Sequence, residues 1–101
     1  MLDRLAGIEE RYEELERLMA DPTVSTDPQA LIAYAQERSE MEDLVALYRR
    51  YRNVVQELES TSQMLEEDVD PEMTEMALGE LASLKTQEAE LEAGLKQLLL
   101  P

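Results

Sequence analysis

Three internal prolines constrain the fold of this chain more than any other feature, because proline disrupts a helix at any position beyond its first turn. Pro22 and Pro28 enclose a stretch of turn and capping residues, and Pro71 stands at a second break. The fourth proline, Pro101, is the last residue. The breaks divide the 101 residues into three segments, and we expect helices over about 2–20, 28–67 and 71–99.

Capping residues mark the start of the second and third segments. The second helix begins with Asp27 as N-cap and Pro28 as its first residue, or one residue earlier, with Thr26 as N-cap and Gln29 completing a capping box. The sequence leaves these two alternatives open. Asp70 gives the third helix an N-cap of the same kind.

Apolar residues recur in steps of three and four in all three segments, which is the spacing of one helical face. In the first segment this stripe is Leu5, Ile8, Tyr12, Leu15 and Met19. The other two segments carry heptad seams with a few polar members, at Tyr34, Glu37, Met41, Leu44, Tyr48, Tyr51, Val55, Leu58, Ser62 and Leu65, and at Thr74, Ala77, Leu81, Leu84, Glu88, Leu91, Leu95 and Leu98. The pattern predicts an all-α fold: an elongated three-helix antiparallel bundle, in one domain over residues 1–101, with a long coiled-coil hairpin of helices 2 and 3.

A short loop centred between Val69 and Asp70 would set the register of this hairpin. The facing pairs are then Leu58–Leu81, Val55–Leu84, Tyr48–Leu91, Leu44–Leu95 and Met41–Leu98. We also expect the Tyr51 hydroxyl to donate a hydrogen bond to the Glu88 carboxylate. Helix 1 is about half as long as helix 2 and is expected to cover its first half, against Leu31, Ala35 and Val45.

Composition excludes most enzyme and metal chemistry. The chain has no Cys and no His, so it lacks a thiolate, an imidazole base and the usual zinc and haem ligand sets. The 24 acids and 9 bases give a net charge of -15, which opposes binding to nucleic-acid phosphates and favours a basic protein partner. The sequence shows neither a signal peptide nor a membrane-spanning apolar run, and we expect a soluble, cytoplasmic protein without a membrane partner.

An acidic cluster at the expected hairpin tip has two interpretations, a cation site or a solvated tip. We favour the solvated tip, because no calcium-loop pattern is present. The cluster consists of Glu66, Glu67, Asp68, Asp70 and Glu72. We expect no catalytic, no cofactor-binding and no metal-binding residue in this chain, because a narrow helical hairpin offers no pocket to desolvate a carboxylate.

A basic cluster also has two interpretations, a contact for RNA or an acidic partner, or a set of flanking ion pairs. The cluster is Arg49, Arg50 and Arg52. We favour the ion pairs, because the facing and neighbouring residues are Gln87, Glu88, Glu90, Glu92, Asp43 and Glu57. The four Tyr and six Met residues are predicted to lie in the core. The run Leu98-Leu99-Leu100 predicts at least one exposed leucine, since three successive residues cannot share one face.

A series of short motifs follows in a fixed order along the chain. They are Met1-Leu2-Asp3, Ile8-Glu9, Arg11-Tyr12-Glu13-Glu14-Leu15, Asp21-Pro22-x-Val24, Asp27-Pro28, Asp70-Pro71-Glu72-Met73 and the closing Leu-Leu-Leu-Pro. In order and spacing they resemble the N-terminal domain of the bacterial peptide chain release factor 1 family, which belongs to the class I release factors. The likeness covers the whole chain.

The resemblance implies a part in translation termination without chemistry of its own. Class I release factors recognise stop codons and trigger peptidyl-tRNA hydrolysis, but their codon-reading Pro-x-Thr tripeptide and catalytic Gly-Gly-Gln lie downstream, and this sequence contains neither. The resemblance implies docking on the ribosome through a large-subunit stalk-base protein, and coupling to the GTPase that recycles the factor. Since the chain stops where the family passes into its next domain, we expect it to be part of a longer factor. The alternatives are a generic acidic coiled-coil oligomerisation or scaffolding module, and a hydrolase for which no base is found.

Overall fold

The computed structural model describes residues 1–67 and 70–101. Over these ranges the chain is all-α, as the periodicity predicts, with α1 at Leu2–Ala20, α2 at Pro22–Ser25, α3 at Pro28–Glu66 and α4 at Pro71–Leu99. The bounds of the three long helices differ from the expected ones by at most one residue. The centre of the expected hairpin loop, between Val69 and Asp70, lies partly outside the described residues.

The short helix α2 is absent from the sequence-based expectation, which has only turn residues between the first two long helices. Asp21 is its N-cap, and the Asp21 carboxylate accepts hydrogen bonds from the Thr23 backbone N–H at 2.9 Å and the Thr23 hydroxyl at 2.8 Å. Pro22 occupies its first position. Because Asp followed by Pro starts a helix as well as ending one, these turn residues close a single helical turn.

The N-cap of α3 is Asp27, which decides between the two alternatives that the sequence leaves open. The Asp27 carboxylate accepts a hydrogen bond from the Ala30 backbone N–H at 3.3 Å. Thr26 instead donates its hydroxyl to the Pro22 carbonyl at 2.7 Å. At the start of α4, Asp70 accepts from the Met73 backbone N–H at 2.9 Å, as its position predicts.

The chain divides into two compact units, the first unit at Met1–Ala46 and the second unit at Leu47–Pro101. The first unit holds α1, α2 and the beginning of α3. Its buried residues include three members of the predicted α1 stripe, Leu5, Tyr12 and Leu15, together with Val45 of α3. The other two members of the stripe, Ile8 and Met19, are half-buried.

The second unit contains a cluster of the buried residues Val54, Leu84 and Leu91, with Leu47, Tyr51 and Leu58 packed against it. The α4 seam follows the prediction through its buried members, Ala77, Leu84, Leu91 and Leu95. It ends there, because Leu98 is 49% exposed. In the terminal leucine run Leu99 is half-buried and Leu100 is exposed, which confirms that the run cannot share one face.

The α3 seam in the second unit departs from the prediction at two positions, each time by one residue. Val54 and Thr61 are buried, whereas the predicted members Val55 and Ser62 are half-buried and exposed. Both choices keep steps of three and four around Tyr51, so spacing alone does not choose between them. The predicted member Tyr48 is buried, the seam continues through Tyr51, Val54, Leu58, Thr61 and Leu65, and Leu47 packs beside it.

Gly94 of α4 lies where α3 approaches closely within the second unit. A Cβ atom at Gly94 would stand 3.1 Å from Leu47 Cδ2, closer than ordinary van der Waals contact. The facing pairs Leu58–Leu81, Val55–Leu84, Tyr48–Leu91, Leu44–Leu95 and Met41–Leu98 stay predictions. The helices in the described part of the chain include none that is long and apolar enough to cross a membrane.

Candidate interaction surface

The first unit contains a forked ion pair that joins α1 to α3. Arg11 donates from Nε and Nη2 to the two carboxylate oxygens of Glu37, both at 2.8 Å, and from Nη1 to Glu14 at 2.6 Å. The hydrogen bond from Arg11 lowers the pKa of Glu37 below its usual range, and the same bond raises the pKa of Arg11. The pair explains why the α3 seam has a polar member at Glu37: the carboxylate is held by a base on α1.

Arg38 makes a second link between the same two helices. Its Nη2 lies 3.5 Å from Glu16 Oε2, and its guanidinium carbon lies 4.7 Å from the centre of the Tyr12 ring. An arginine over an aromatic face gains a cation–π attraction in addition to packing. Sequence reasoning missed both links, although a Glu within an apolar seam is the signal that a base faces it.

Tyr51 does not make the hydrogen bond predicted for it. It packs against the apolar cluster of the second unit, and the structure records no hydrogen bond between its hydroxyl and Glu88. Burial raises the pKa of Tyr51, and the negative charges of Glu92 and then Glu88 raise it further. Glu88 is therefore near Tyr51 without being its partner, which is consistent with the one-residue change in the α3 seam.

One member of the basic cluster of α3, Arg52, packs against an aromatic ring. The Arg52 guanidinium carbon lies 5.2 Å from the centre of the Tyr48 ring. On α4, Glu92 pairs with Lys96 at 3.4 Å. The predicted pairing of Arg49, Arg50 and Arg52 with acids of α4 stays a prediction.

Charge is distributed unevenly along the second unit. Residues 53–84, which we call the acid-only segment, contain nine acids and no Lys or Arg: Glu57, Glu59, Glu66, Glu67, Asp68, Asp70, Glu72, Glu75 and Glu80. The flanking residues 47–52 and 85–101 contain five bases and three acids. The negative charge of the second unit therefore belongs to the acid-only segment. This uneven distribution can be read from the sequence, although the net charge alone does not reveal it.

An open groove of about 490 Å³ lies within the acid-only segment. All of its lining residues are polar, and they come from α3 and α4: Asn53, Gln56, Glu57, Ser60, Thr61 and Glu80. Within the described ranges, no group of three or more acidic side chains is placed to hold a metal ion. One member of the acidic cluster noted in the sequence, Asp68, lies outside those ranges.

Two methionines lie exposed on α4 beside this groove, so the prediction that all six methionines lie in the core is wrong. Met73 is 47% exposed and Met76 is 72% exposed. Met76 precedes Glu80 by one helical turn on the same face, and Met73 precedes Met76 by a further turn. Neither belongs to the α4 seam, which is how the sequence could have distinguished them.

The PCRF domain family model matches residues 8–101 of the chain. The chain belongs to the PCRF domain family. Relatives named peptide chain release factor 1 are 46% identical in Carboxydothermus hydrogenoformans, 43% in Oceanobacillus iheyensis and 44% in Bacillus subtilis, each over 101 residues. The match covers 100% of this PCRF chain and 28% of each relative. The resemblance to release factor 1 is thus confirmed. No solved structure matches the chain.

Proposed function

We propose that this PCRF chain is the N-terminal, ribosome-docking domain of a translation termination factor that acts in the cytoplasm. The observation that carries the proposal is the 46% identity to a peptide chain release factor 1 across 100% of this chain. The full-length factor would recognise stop codons and promote peptidyl-tRNA hydrolysis. Residues 1–101 would contribute binding and no catalytic group.

The composition supports a non-catalytic part. The chain has no Cys and no His, and the two carboxylates that line its groove, Glu57 and Glu80, do so in an open setting. A carboxylate becomes a useful acid or base at neutral pH when burial or a neighbouring charge raises its pKa. The groove leaves Glu57 and Glu80 in contact with water, so it suits binding better than proton transfer.

The charge supports a protein as the docking partner. Because its net charge is -15, the domain is repelled by the phosphates of ribosomal RNA and attracted to basic protein surfaces. A ribosomal protein at the stalk base of the large subunit fits this requirement, and functional coupling to the recycling GTPase would follow from docking there. Direct binding to nucleic acid is not expected of this domain.

The proposal includes an antiparallel arrangement of the long helices, in which the C-terminal part of α3 forms a coiled-coil hairpin with α4. The apolar cluster of Val54, Leu84 and Leu91 and the approach of Leu47 to Gly94 support it. Leu47 precedes Val54 in α3, whereas Gly94 follows Leu84 and Leu91 in α4. This order is expected of two helices that run in opposite directions. A stiff helical pair of this kind presents side chains for docking without a pocket for chemistry.

A deletion separates docking from catalysis. The full-length factor and a version lacking residues 1–101 are compared in single-turnover peptide release on ribosomes carrying a stop codon. We expect the concentration for half-maximal release to rise about tenfold while the maximal rate stays within about twofold, as for a lost binding interaction. A large loss of maximal rate at saturating factor would contradict the non-catalytic assignment.

Crosslinking and salt then test the kind of partner. We expect crosslinks from the domain to a large-subunit protein, and an affinity that falls at least about threefold between roughly 0.05 and 0.3 M salt, because charge attraction is screened. Crosslinks to ribosomal RNA alone, or affinity independent of salt, would contradict the proposal.

The second candidate is an acidic coiled-coil oligomerisation module, which the heptad seams favour. It predicts an obligate oligomer in sedimentation analysis and no Gly-Gly-Gln sequence downstream in the parent gene. A monomer with Gly-Gly-Gln encoded downstream would exclude it.

A further inference from the structure

The exposed methionines and the polar groove form one continuous surface in the second unit. Glu80 lines the groove, Met76 lies one turn before it on α4, and Met73 lies a turn before Met76. From Met73 to Glu80 the surface extends about 10 Å along the helix, at 1.5 Å per residue. We call Met73, Met76, Glu80 and the groove residues of α3 the methionine–acid surface.

We propose that the methionine–acid surface docks a basic amphipathic helix of a partner protein. This inference rests on the proposed function and specifies which part of the acidic domain makes the contact. Methionine is flexible and polarisable, so exposed methionines adapt to apolar side chains of a partner. Apolar side chains of the partner helix would cover Met73 and Met76, and a Lys or Arg one turn further would reach Glu57 and Glu80.

Charge complementarity selects this occupant over the other candidates. The acid-only segment has nine acids and no base, so phosphates of RNA or of an anionic membrane are repelled. A second copy of the same surface would bring like charges together, which costs free energy at an interface. A basic helix satisfies both the acids and the methionines, whereas a purely basic peptide would leave the methionines uncovered.

Methyl NMR can locate the contact directly. The chain labelled with ¹³C at the methionine methyl groups gives one signal for each of Met1, Met19, Met41, Met64, Met73 and Met76. The probe is a synthetic 18-residue peptide with Leu at helical i, i+3, i+4 spacing and Lys elsewhere, and the control peptide carries Glu in place of Lys. We expect saturable shifts of the Met73 and Met76 signals with the Lys peptide only. Shifts confined to Met1, Met19 or Met41, or equal shifts with both peptides, would overturn the proposal.

Matched variants test the same surface on large ribosomal subunits. M73Q/M76Q removes the two apolar contacts, and L78Q is its control, because Leu78 is also exposed, at 53%, but points away from Met76. We expect M73Q/M76Q to weaken binding about tenfold and L78Q less than twofold, as for central and peripheral interface positions. Equal effects would overturn the proposal.

A second matched pair separates position from total charge. E57Q/E80Q neutralises the two groove acids, whereas E59Q/E75Q neutralises two exposed acids of the same segment on other faces. We expect the groove pair to weaken binding to both the peptide and the subunits several-fold more than the control pair. An equal loss would mean that only net charge matters and would overturn the proposal.

The combination of arms distinguishes the two levels of inference. Variants M73Q/M76Q and E57Q/E80Q that bind subunits as tightly as the wild-type chain would leave the proposed function standing and overturn this surface. Wild-type chain that binds the Lys peptide through Met73 and Met76 but does not bind subunits would overturn the proposed function and support the surface. In the full-length factor, Met73 and Met76 signals that are already shifted and insensitive to the peptide would assign the surface to an internal contact and overturn the proposal.

Discussion

The acids of the first unit and those of the acid-only segment have different surroundings. In the first unit, Arg11 and Arg38 hold Glu37 and Glu16 across two helices. In the acid-only segment no base is available in the sequence between Arg52 and Lys85. The first unit therefore uses charge to join its own helices, whereas the acid-only segment leaves its negative charge available to a partner.

The largest effect we expect comes from the core of the first unit. Leu15 is 0% exposed, and Leu15→Ala should lower the free energy of unfolding by about 3 kcal/mol through lost burial and an unfilled cavity. Leu84→Ala in the second unit is the comparison, with an expected loss of about 2 kcal/mol because its cluster is less completely covered. Urea unfolding measures both. A larger loss for Leu84 would reverse the ranking of the two cores.

The cap of α4 tests how the acid-only segment is held. Asp70→Ala removes the hydrogen bond to the Met73 N–H and should cost about 1 kcal/mol. Asp21→Ala removes the corresponding bond from α2, a helix of only 4 residues, and should cost less. Thermal unfolding of the two variants checks the order, which an equal or larger effect of Asp21→Ala would contradict.

A glycine within the acid-only segment can be improved. A Cβ at Gly79 would meet nothing within 4 Å. Gly79→Ala should therefore raise the free energy of unfolding by up to about 1 kcal/mol, because alanine has the higher helix propensity and makes the unfolded chain less flexible. Gly94→Ala should raise the free energy of unfolding by less, or lower it, because the new Cβ would lie 3.1 Å from Leu47 Cδ2. Chemical denaturation of both variants tests the difference, and an equal gain would show that Leu47 moves away freely.

A single cation should stabilise the acid-only segment at the end of α3. The last turn of α3 has no basic residue. Glu66→Lys should therefore raise the free energy of unfolding by about 0.5 kcal/mol, because a cation there interacts favourably with the helix dipole. Glu72→Lys makes the same change of charge in the first turn of α4, where the dipole disfavours a cation. Equal gains from the two variants in thermal unfolding would show that overall repulsion, rather than helix position, decides the effect.

The smallest effect is the pH dependence of the paired acid in the first unit. Hydrogen bonding to Arg11 holds the pKa of Glu37 below its usual value of 4.5, so Glu37 stabilises the fold fully above that value. The contribution is lost as the pH falls below 4.5 and through the lower pKa of the folded state. The difference in unfolding free energy between wild type and Glu37→Gln, measured from about pH 7 down to pH 3, should shrink. A constant difference would contradict this assignment.

The sequence predicts the helices well because their ends are local features. Asp27 and Asp70 beside prolines define the starts of α3 and α4, and the α1 stripe identifies its buried face. Short α2 was missed because the same Asp-Pro pattern describes both a turn and a single helical turn. Local chemistry therefore determines where a helix begins more reliably than whether a turn closes into one.

Positions decided by contacts between helices were harder to predict. The choice of Val54 over Val55 in the α3 seam depends on how α3 faces α4, because both satisfy the heptad spacing. The Arg11–Glu37 link joins residues 26 positions apart, which no local pattern reveals. The exposure of Met73 and Met76 could have been predicted, since neither fits the α4 seam, but a methionine on a helix is more often buried.

The missing side chain at Gly94 has a consequence for how the two helices of the second unit are aligned. The α3 members Leu47, Val54 and Thr61 recur every seven residues, as do Leu84 and Leu91 of α4, so sliding by one heptad would preserve much of the apolar pairing. Such a slip would take Leu47 from the notch above Gly94 to the side chain of Gln87 or to Pro101 at the chain end. The absent side chain thus favours one alignment among those that the heptad repetition would otherwise allow.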